Sequence, residues 1–242
     1  MARSDEGERT DGGAKLVAMA LDLAAAFPSI SRAWIARAFQ LVRAPLGLQV
    51  FIANTHSSTW ALSFASSGIH YDYEMASGVQ QGCPLAGVAF VVCFDFALRA
   101  LMHTLAENAK ILACADDIFL VLRTIRLLAP VSEVFTKVAG ATALCLSPTK
   151  CIIVPLWDSC TPQTVTATKE AIATIAPKFS SSPVEGATIF LVMLVGPSAT
   201  EELVWKLAMD KFLCAANRIL ASGTSPTIAG ALLARRAWPT LG

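Results

Sequence analysis

Apolar residues along this chain fall into two patterns: strand-length runs broken by isolated charges, and longer stretches with a three-to-four-residue period. Residues 16–23 (LVAMALDL) form a run of the first kind, interrupted only by Asp22. After Pro28-Ser29-Ile30, Ser31 is placed to cap a helix over 32–42, with Trp34, Ile35, Ala38 and Phe39 on one face. Pro45 ends that helix. Segments 48–53 and 59–63 read either as short strands or as a helix and a strand. The Gly-bounded loop 78–85 opens into an apolar helical run, 88–101, in which Asp95 and Arg99 stand four apart as a favourable helical pair. Then come two apolar strand-length runs, 111–115 and 118–121, on either side of Asp116-Asp117, where a hairpin would turn. Two-residue turns favour Gly and Asn, but Asp tolerates the left-handed conformation. Further on, 127–143 reads as a helix, 144–155 as a turn and a strand, 164–176 as a surface helix, and 188–195 (TIFLVMLV) as one buried strand. A last helix, 201–220, offers Trp205, Phe212 and Ile219 to the core. Alternating strands and helices with a hairpin in the middle, and no internal repeat, give the class α+β with a mostly antiparallel sheet.

Composition narrows the picture. The chain has 242 residues, 55% hydrophobic and only 15% charged, against a usual charged share of about 25%. So much apolar material is ample for a large Ala- and Leu-rich core, the favoured explanation, and is also what a fragment of something larger would carry. The net charge of +1 gives no global attraction for nucleic acid, so such a partner has to be argued from a site. Seven cysteines without a C-x-x-C pair, and three histidines far apart, indicate neither zinc nor a disulfide framework but a reduced, intracellular protein, nuclear or cytoplasmic. Residues 1–14 are polar and partly acidic, a disordered lead and not a secretory signal. The longer uncharged runs are interrupted by Gly-Pro and polar residues, so no membrane span is expected.

The candidate chemistry is acidic. An unpaired buried carboxylate costs several kcal/mol, and adjacent ones repel. Taken alone, Asp116-Asp117 reads as an acidic hairpin tip in solvent, and Asp22 as an edge or solvent-facing charge. Taken together, they are three carboxylates in apolar strands able to meet on one sheet. Such a cluster calls for hard cations; two Mg²⁺ about 4 Å apart serve phosphoryl transfer. Gly78 and Gly82 would let a substrate approach the loop backbone closely.

The motifs bring a specific resemblance. Leu21-Asp22-Leu23-Ala24-Ala25-Ala26-Phe27 has an Asp followed five residues later by an aromatic residue. Gly78-Val79-Gln80-Gln81-Gly82-Cys83-Pro84-Leu85, Cys114-Ala115-Asp116-Asp117 and Leu146-Ser147-Pro148-Thr149-Lys150-Cys151 follow in order, and Phe190-Leu191-Val192 comes after. In order and spacing this resembles the palm of reverse transcriptases, particularly those of non-LTR (LINE-like) retrotransposons, over roughly residues 15–215. The departures are Cys114 for an aromatic residue, Gln80 for Arg, Ala86-Gly87 for Ser-Pro, Ser147 for Asn and Val192 for Gly.

The resemblance implies an RNA-directed DNA polymerase that adds deoxynucleoside triphosphates to a DNA primer on an RNA template. It implies two Mg²⁺ ions, with Mn²⁺ as an alternative. Asp22, Asp116 and Asp117 become the catalytic acids and metal ligands: Asp22 and Asp116 the main ligands, with the carbonyl of Leu23 nearby, and Asp117 the accompanying acid. Phe27 becomes the steric gate against a ribose 2′-OH, Gln81 and Gly82 part of the nucleotide pocket, and Lys150 the cation near the triphosphate. Phe27 also reads as plain core, and Lys150 as a solvated loop lysine. By the same resemblance, 1–14 is a lead, 15–198 the palm and 199–242 a thumb-like helical tail, and the fingers belong to a missing segment of a parent polypeptide. The rival reading is a degenerate, non-catalytic palm with weak nucleic-acid binding. An RNA-dependent RNA polymerase palm fits less well, because Phe27 stands where those enzymes usually place a polar residue.

Overall fold

The computed structural model describes residues 15–57, 59–79, 82–157, 160–191 and 193–237. The expected lead, 1–14, lies outside them. At the centre stands β1 (Val17–Leu21), with β5 (Asp117–Leu122) on one side and β6 (Ile152–Pro155) on the other. β4 (Ala109–Cys114) completes a four-stranded sheet of order β4-β5-β1-β6, antiparallel at every step. Two small sheets, β2 (Thr59–Ala65) with β3 (Gly68–Met75) and β7 (Thr188–Phe190) with β8 (Met193–Val195), are also antiparallel. The class is therefore α+β with antiparallel sheet, as the pattern indicated.

Strand alternation explains why the run at β1 is apolar throughout: both of its faces are covered. Val17, Met19 and Leu21 point with Ile118, Leu120, Leu122 and Ile153 into the main core. Helices fill that side: α1 (Ala26–Ser29), α2 (Arg32–Leu41), α3 (Leu46–Thr55), α4 (Ala86–Leu105), α5 (Leu128–Thr142) and α6 (Pro162–Ile175). Phe90 and Phe94 of α4 and Phe135 of α5 are fully buried there. Each such side chain contributes roughly 1.5–3 kcal/mol, so this layer carries most of the stability. On the opposite face Ala18, Phe119 and Val154 meet Phe190 of β7 in a smaller cluster. The Phe119 and Phe190 rings stand 5.1 Å apart.

Local chemistry sets the helix starts. Ser31, Thr161 and Thr200 each accept a hydrogen bond from the backbone N–H three residues on, opening α2, α6 and α7 (Glu201–Ala221). α4 is the one helix among the described residues long and apolar enough to cross a membrane by length and composition. Here it is the core helix: Ala86, Ala89, Phe90, Cys93, Phe94, Ala97, Leu101 and Leu105 recur at helical spacing and are buried. Asp95 and Arg99 pair at 2.6 Å on its exposed side.

Three expectations need correction, and one open choice is settled. The two-residue loop of the central hairpin is Ala115-Asp116, not Asp116-Asp117; Asp117 already pairs with Cys114 in β5, and Ala115 takes the positive φ of 54°. Residues 188–195 are not one buried strand but the β7–β8 hairpin, because Leu191 adopts φ 46° and reverses the chain. The ambiguous stretch 48–63 resolves into α3 and β2, and β2 pairs with the unforeseen β3. Trp205 is more than half exposed, while Ile219 is buried; α7 packs with α8 (Pro226–Leu232) and the π-helical turn Leu233–Ala237.

Candidate active site

Beyond Leu21 the β1 chain stays extended and runs beside residues 145–151. The Ala24 N–H donates to the Cys145 carbonyl and the Ser147 N–H donates to the Asp22 carbonyl, both at 2.8 Å, and Leu23 bridges Leu146. The Asp22 N–H donates to Cys151 Sγ at 3.4 Å. Both backbone polar groups of Asp22 thus point toward 147–151. Antiparallel alternation aims those of Leu23 the other way, toward the β4–β5 hairpin.

The sheet register then lines up the chemistry. β1 pairs Leu21 with Ile118, so one further step brings Asp22 opposite Asp117; β4 pairs Cys114 with Asp117. Parity puts Asp22 with Ala18 and Ala20, and Asp117 with Phe119, on the face away from α4 and α5. On the far side of Asp22 stands Lys150, with Nζ 3.8 Å from Oδ2. One row therefore crosses the end of the sheet: Cys114, Asp117, Asp22, Lys150. Directly opposed side chains have Cβ atoms about 4.5–5.5 Å apart. Asp116 stands exposed at the hairpin tip. Among the described residues, no three His, Cys, Asp or Glu side chains are gathered closely enough to hold a metal ion, so the three acids do not form a closed cage.

Electrostatically the row is acidic, with one cation at its edge. The Asp22 carboxylate is part exposed, but its Oδ2 is sealed from solvent and accepts no hydrogen bond. Leaving a buried acceptor unmet costs about 1–3 kcal/mol. Lys150 is too far to donate and, being largely exposed, contributes little as an ion pair. A hard cation is the partner such an oxygen suits, and the nearby donors, a second carboxylate and the Leu23 carbonyl, are oxygens of the same kind. By donor type, hard oxygens, this set suits a divalent metal of the Mg²⁺ class.

The remaining expected residues divide. The Phe27 ring stacks on Phe90 with centroids 4.5 Å apart at 21°, half-buried against the core, so it packs and still presents an edge. Gly78 N–H donates to the Ile30 carbonyl and Val79 N–H to the Phe27 carbonyl, fastening the loop to α1. A Cβ on Gly78 would lie 2.5 Å from Pro28 Cα, so only glycine fits that approach. Gly82, with φ +93°, is exposed and has open space where its Cβ would stand. Gln81 and Val192 lie outside the described residues.

Two residues at the site had no role assigned from the sequence. Cys151, fully buried, accepts from the Asp22 N–H and donates its S–H to the Asp22 carbonyl at 3.8 Å. Burial pushes its pKa up to about 11, so it stays a thiol. Ser147 opens a turn closed by the Lys150 N–H to the Ser147 carbonyl at 2.9 Å, and this turn delivers Lys150 to Asp22. Proline at the second position, Pro148, is the sequence signal for such a turn.

Residues 5–173 match the family model described as reverse transcriptase (RNA-dependent DNA polymerase). No curated protein matches the chain. Among solved structures, it is similar to apo telomerase from Candida tropicalis truncated from its C-terminal domain, with TM-score 0.55 and 10% identity over 75% of this chain and 34% of that one. It is also similar to apo telomerase from the same organism, with TM-score 0.54 and 9% identity over 80% and 34%. At such identity the likeness speaks for the fold alone. The chain spans about a third of the length of these telomerase chains.

Proposed function

Because this chain belongs to the reverse transcriptase (RNA-dependent DNA polymerase) family, we propose that it is the palm of an RNA-directed DNA polymerase. In this reading it serves a retroelement of the non-LTR type and joins deoxynucleoside triphosphates to a DNA primer on an RNA template. The observation that carries the reading is the row Asp117–Asp22–Lys150 across the sheet end, with its buried, unpartnered Asp22 Oδ2.

Asp22, Asp117 and Asp116, with the Leu23 carbonyl, would hold two Mg²⁺, or Mn²⁺. Bound there, the ions supply a lowered pKa for the primer 3′-hydroxyl and charge neutralisation at the phosphates. The protein's own part is positioning. Lys150 reaches over the row on an exposed stem and can exchange Asp22 for the negative charge of a triphosphate. The exposed edge of Phe27 limits the room beside a sugar 2′ position. The loop at Gly82 leaves its backbone open to a nucleotide. Fingers from another segment of a parent polypeptide would grip the template, and 199–237 would act as part of a thumb.

The test is primer extension on an RNA template, with the 242-residue chain and a supplied fingers segment. Asp22→Asn keeps the size and removes the charge, so extension should fall by about 10²-fold or more, by analogy with the removal of one well-placed electrostatic group. Equal extension by wild type and Asp22→Asn overturns the reading. The ungathered acids favour the second reading, a non-catalytic palm, which requires that neither protein extend the primer.

A further inference from the structure

The β2–β3 hairpin turns an apolar face to solvent. Its register sets Trp60 opposite Glu74, Leu62 opposite Tyr71 and Phe64 opposite Ile69. The irregularity between Ala61 and Leu62 resets the alternation along β3. Asp72, which accepts from Ser63 Oγ at 3.0 Å, and Tyr73, opposite Ala61, therefore fall on the other, more polar face. The Trp60 and Tyr71 rings meet edge-on with centroids 6.1 Å apart, so the apolar members form one patch. We propose that this face joins two copies of the chain, the two hairpins packing face to face about a twofold axis.

Single exposed apolar residues are ordinary, but a contiguous group of large ones marks a contact surface. Trp60, Leu62, Phe64, Ile69 and Tyr71 are between 45% and 79% exposed. β2 and β3 pack chiefly on each other. A lone two-stranded hairpin is marginally stable in water and needs a further layer on its apolar side. Area fits a second hairpin as that layer. A buried aromatic side chain covers about 150–250 Å². At these exposures the five residues offer roughly 600 Å² per copy, about 1,200 Å² for two, which reaches the lower bound for a specific interface.

Charge points the same way. The hairpin carries Asp72 and Glu74 and no Lys or Arg, so it holds no attraction for a nucleic-acid backbone. Glu74 is the one charge on the apolar face, at its open end beside Trp60. A twofold axis through the middle pair, Leu62 and Tyr71, lays each Trp60 over Phe64 and Ile69 of the other copy. Trp60 and Phe64 stand about 13 Å apart along β2. The two Glu74 carboxylates then lie at opposite ends, farther apart than the screening length of about 8–10 Å. An apolar patch with its only charge at one end is thus complementary to itself, as an isologous contact requires.

Sedimentation velocity of the 242-residue chain, 25.6 kDa, tests this across about 1–200 μM. The mass should double over that range, with a dissociation constant on the order of 10 μM for an interface at the small end. Hydrogen exchange, which needs no variant, should show the amides of β2 and β3 about 10-fold more protected at the high concentration than at the low. Phe64→Lys and Tyr71→Lys, both at exposed positions, should weaken association about 10-fold or more, and Tyr73→Lys on the other face should leave it unchanged. Four results overturn the proposal: a chain that stays monomeric throughout, association that grows past the dimer, a gain in protection that falls elsewhere than on the hairpin, or Phe64→Lys and Tyr71→Lys dimerising as well as wild type. A monomer whose hairpin gains protection only on addition of an RNA oligonucleotide gives the face to nucleic acid and overturns it equally.

Discussion

Replacing Gly78 with alanine tests how the loop after β3 is fastened to α1, the short helix that follows Asp22. Gly78 has φ +79°, and an alanine Cβ would stand 2.5 Å from Pro28 Cα and O and 2.6 Å from Pro28 C. All three atoms are backbone, so no side chain can swing away. The left-handed conformation costs an L-residue about 1–2 kcal/mol. Forcing a methyl into an occupied space costs about 1–3 kcal/mol more. The sum, about 2–5 kcal/mol, is a large part of the roughly 5–15 kcal/mol by which a domain is stable. Gly82→Ala is the control: φ is +93° there, but the space is open, so only the conformational part applies. Urea denaturation of both variants should put Gly78→Ala below Gly82→Ala by about 1–3 kcal/mol. In a chain of this size, 2 kcal/mol corresponds to about 4–8 °C in Tm. If Gly78→Ala costs no more than Gly82→Ala, the close approach to Pro28 is not real, and the anchoring of the loop at Ile30 and Phe27 falls with it.

Other perturbations are simpler to state. Phe27→Ala removes a half-buried ring stacked on Phe90, so denaturation should show a loss of about 2 kcal/mol, roughly half that of a fully buried Phe. If Phe27 is also the gate, competing primer extension should show ribonucleotide incorporation rising about 10-fold or more; an unchanged ratio leaves Phe27 as core only. Burial raises the thiols of Cys93 to about 12 and Cys151 to about 11, whereas an unfolded chain releases those protons from about pH 8.5. Between these values the folded state holds more protons, so stability is full at lower pH and falls as pH rises toward 11. Urea midpoints from pH 8 to 11 should drop, less so in Cys93→Ser/Cys151→Ser, and a flat wild-type profile contradicts the burial. Asp95→Ala breaks an exposed pair and should change stability by less than about 0.5 kcal/mol; a loss above about 2 kcal/mol would mean the pair is not solvent-screened.

What could be read from the sequence was whatever periodicity and capping determine locally. Ser31 marked the start of α2, and Ile35, Ala38 and Phe39 marked its buried face, because a cap and a 3.6-residue stripe act over a few residues. β1 was legible as a strand, but not that two-sided burial makes it continuous, since its cover comes from Phe119, Val154 and Phe190 far along the chain. The turns failed where an ordinary residue took a glycine-like conformation. Ala115 and Leu191 both have positive φ and carry no composition signal. β3 did carry a signal, apolar residues alternating at Ile69, Tyr71, Tyr73 and Met75, which its exposure disguised. At the site, motif order named Asp22, Asp116, Asp117 and Lys150; the sheet register sets Asp117 opposite Asp22, the ion pair adds Lys150 to the row, and Asp116, expected as a main ligand, stands at the exposed hairpin tip. The thiol of Cys151 behind Asp22 depends on a contact across 129 residues, which no local pattern encodes.

The placement of β1 at the middle of the sheet also sets a timetable for synthesis. Val17 pairs with Leu122 on one side and with Pro155 on the other. An apolar strand made first of the three must therefore wait for more than a hundred further residues before either edge is closed. At about 5–20 residues per second, the first of those partners emerges roughly 5–20 s later. Throughout that interval the strand that will carry Asp22 has two open edges and an apolar sequence, the kind of segment that pairs with the wrong neighbour. The residues that make β1 the best-covered strand of the finished sheet thus make it the most exposed one on the ribosome.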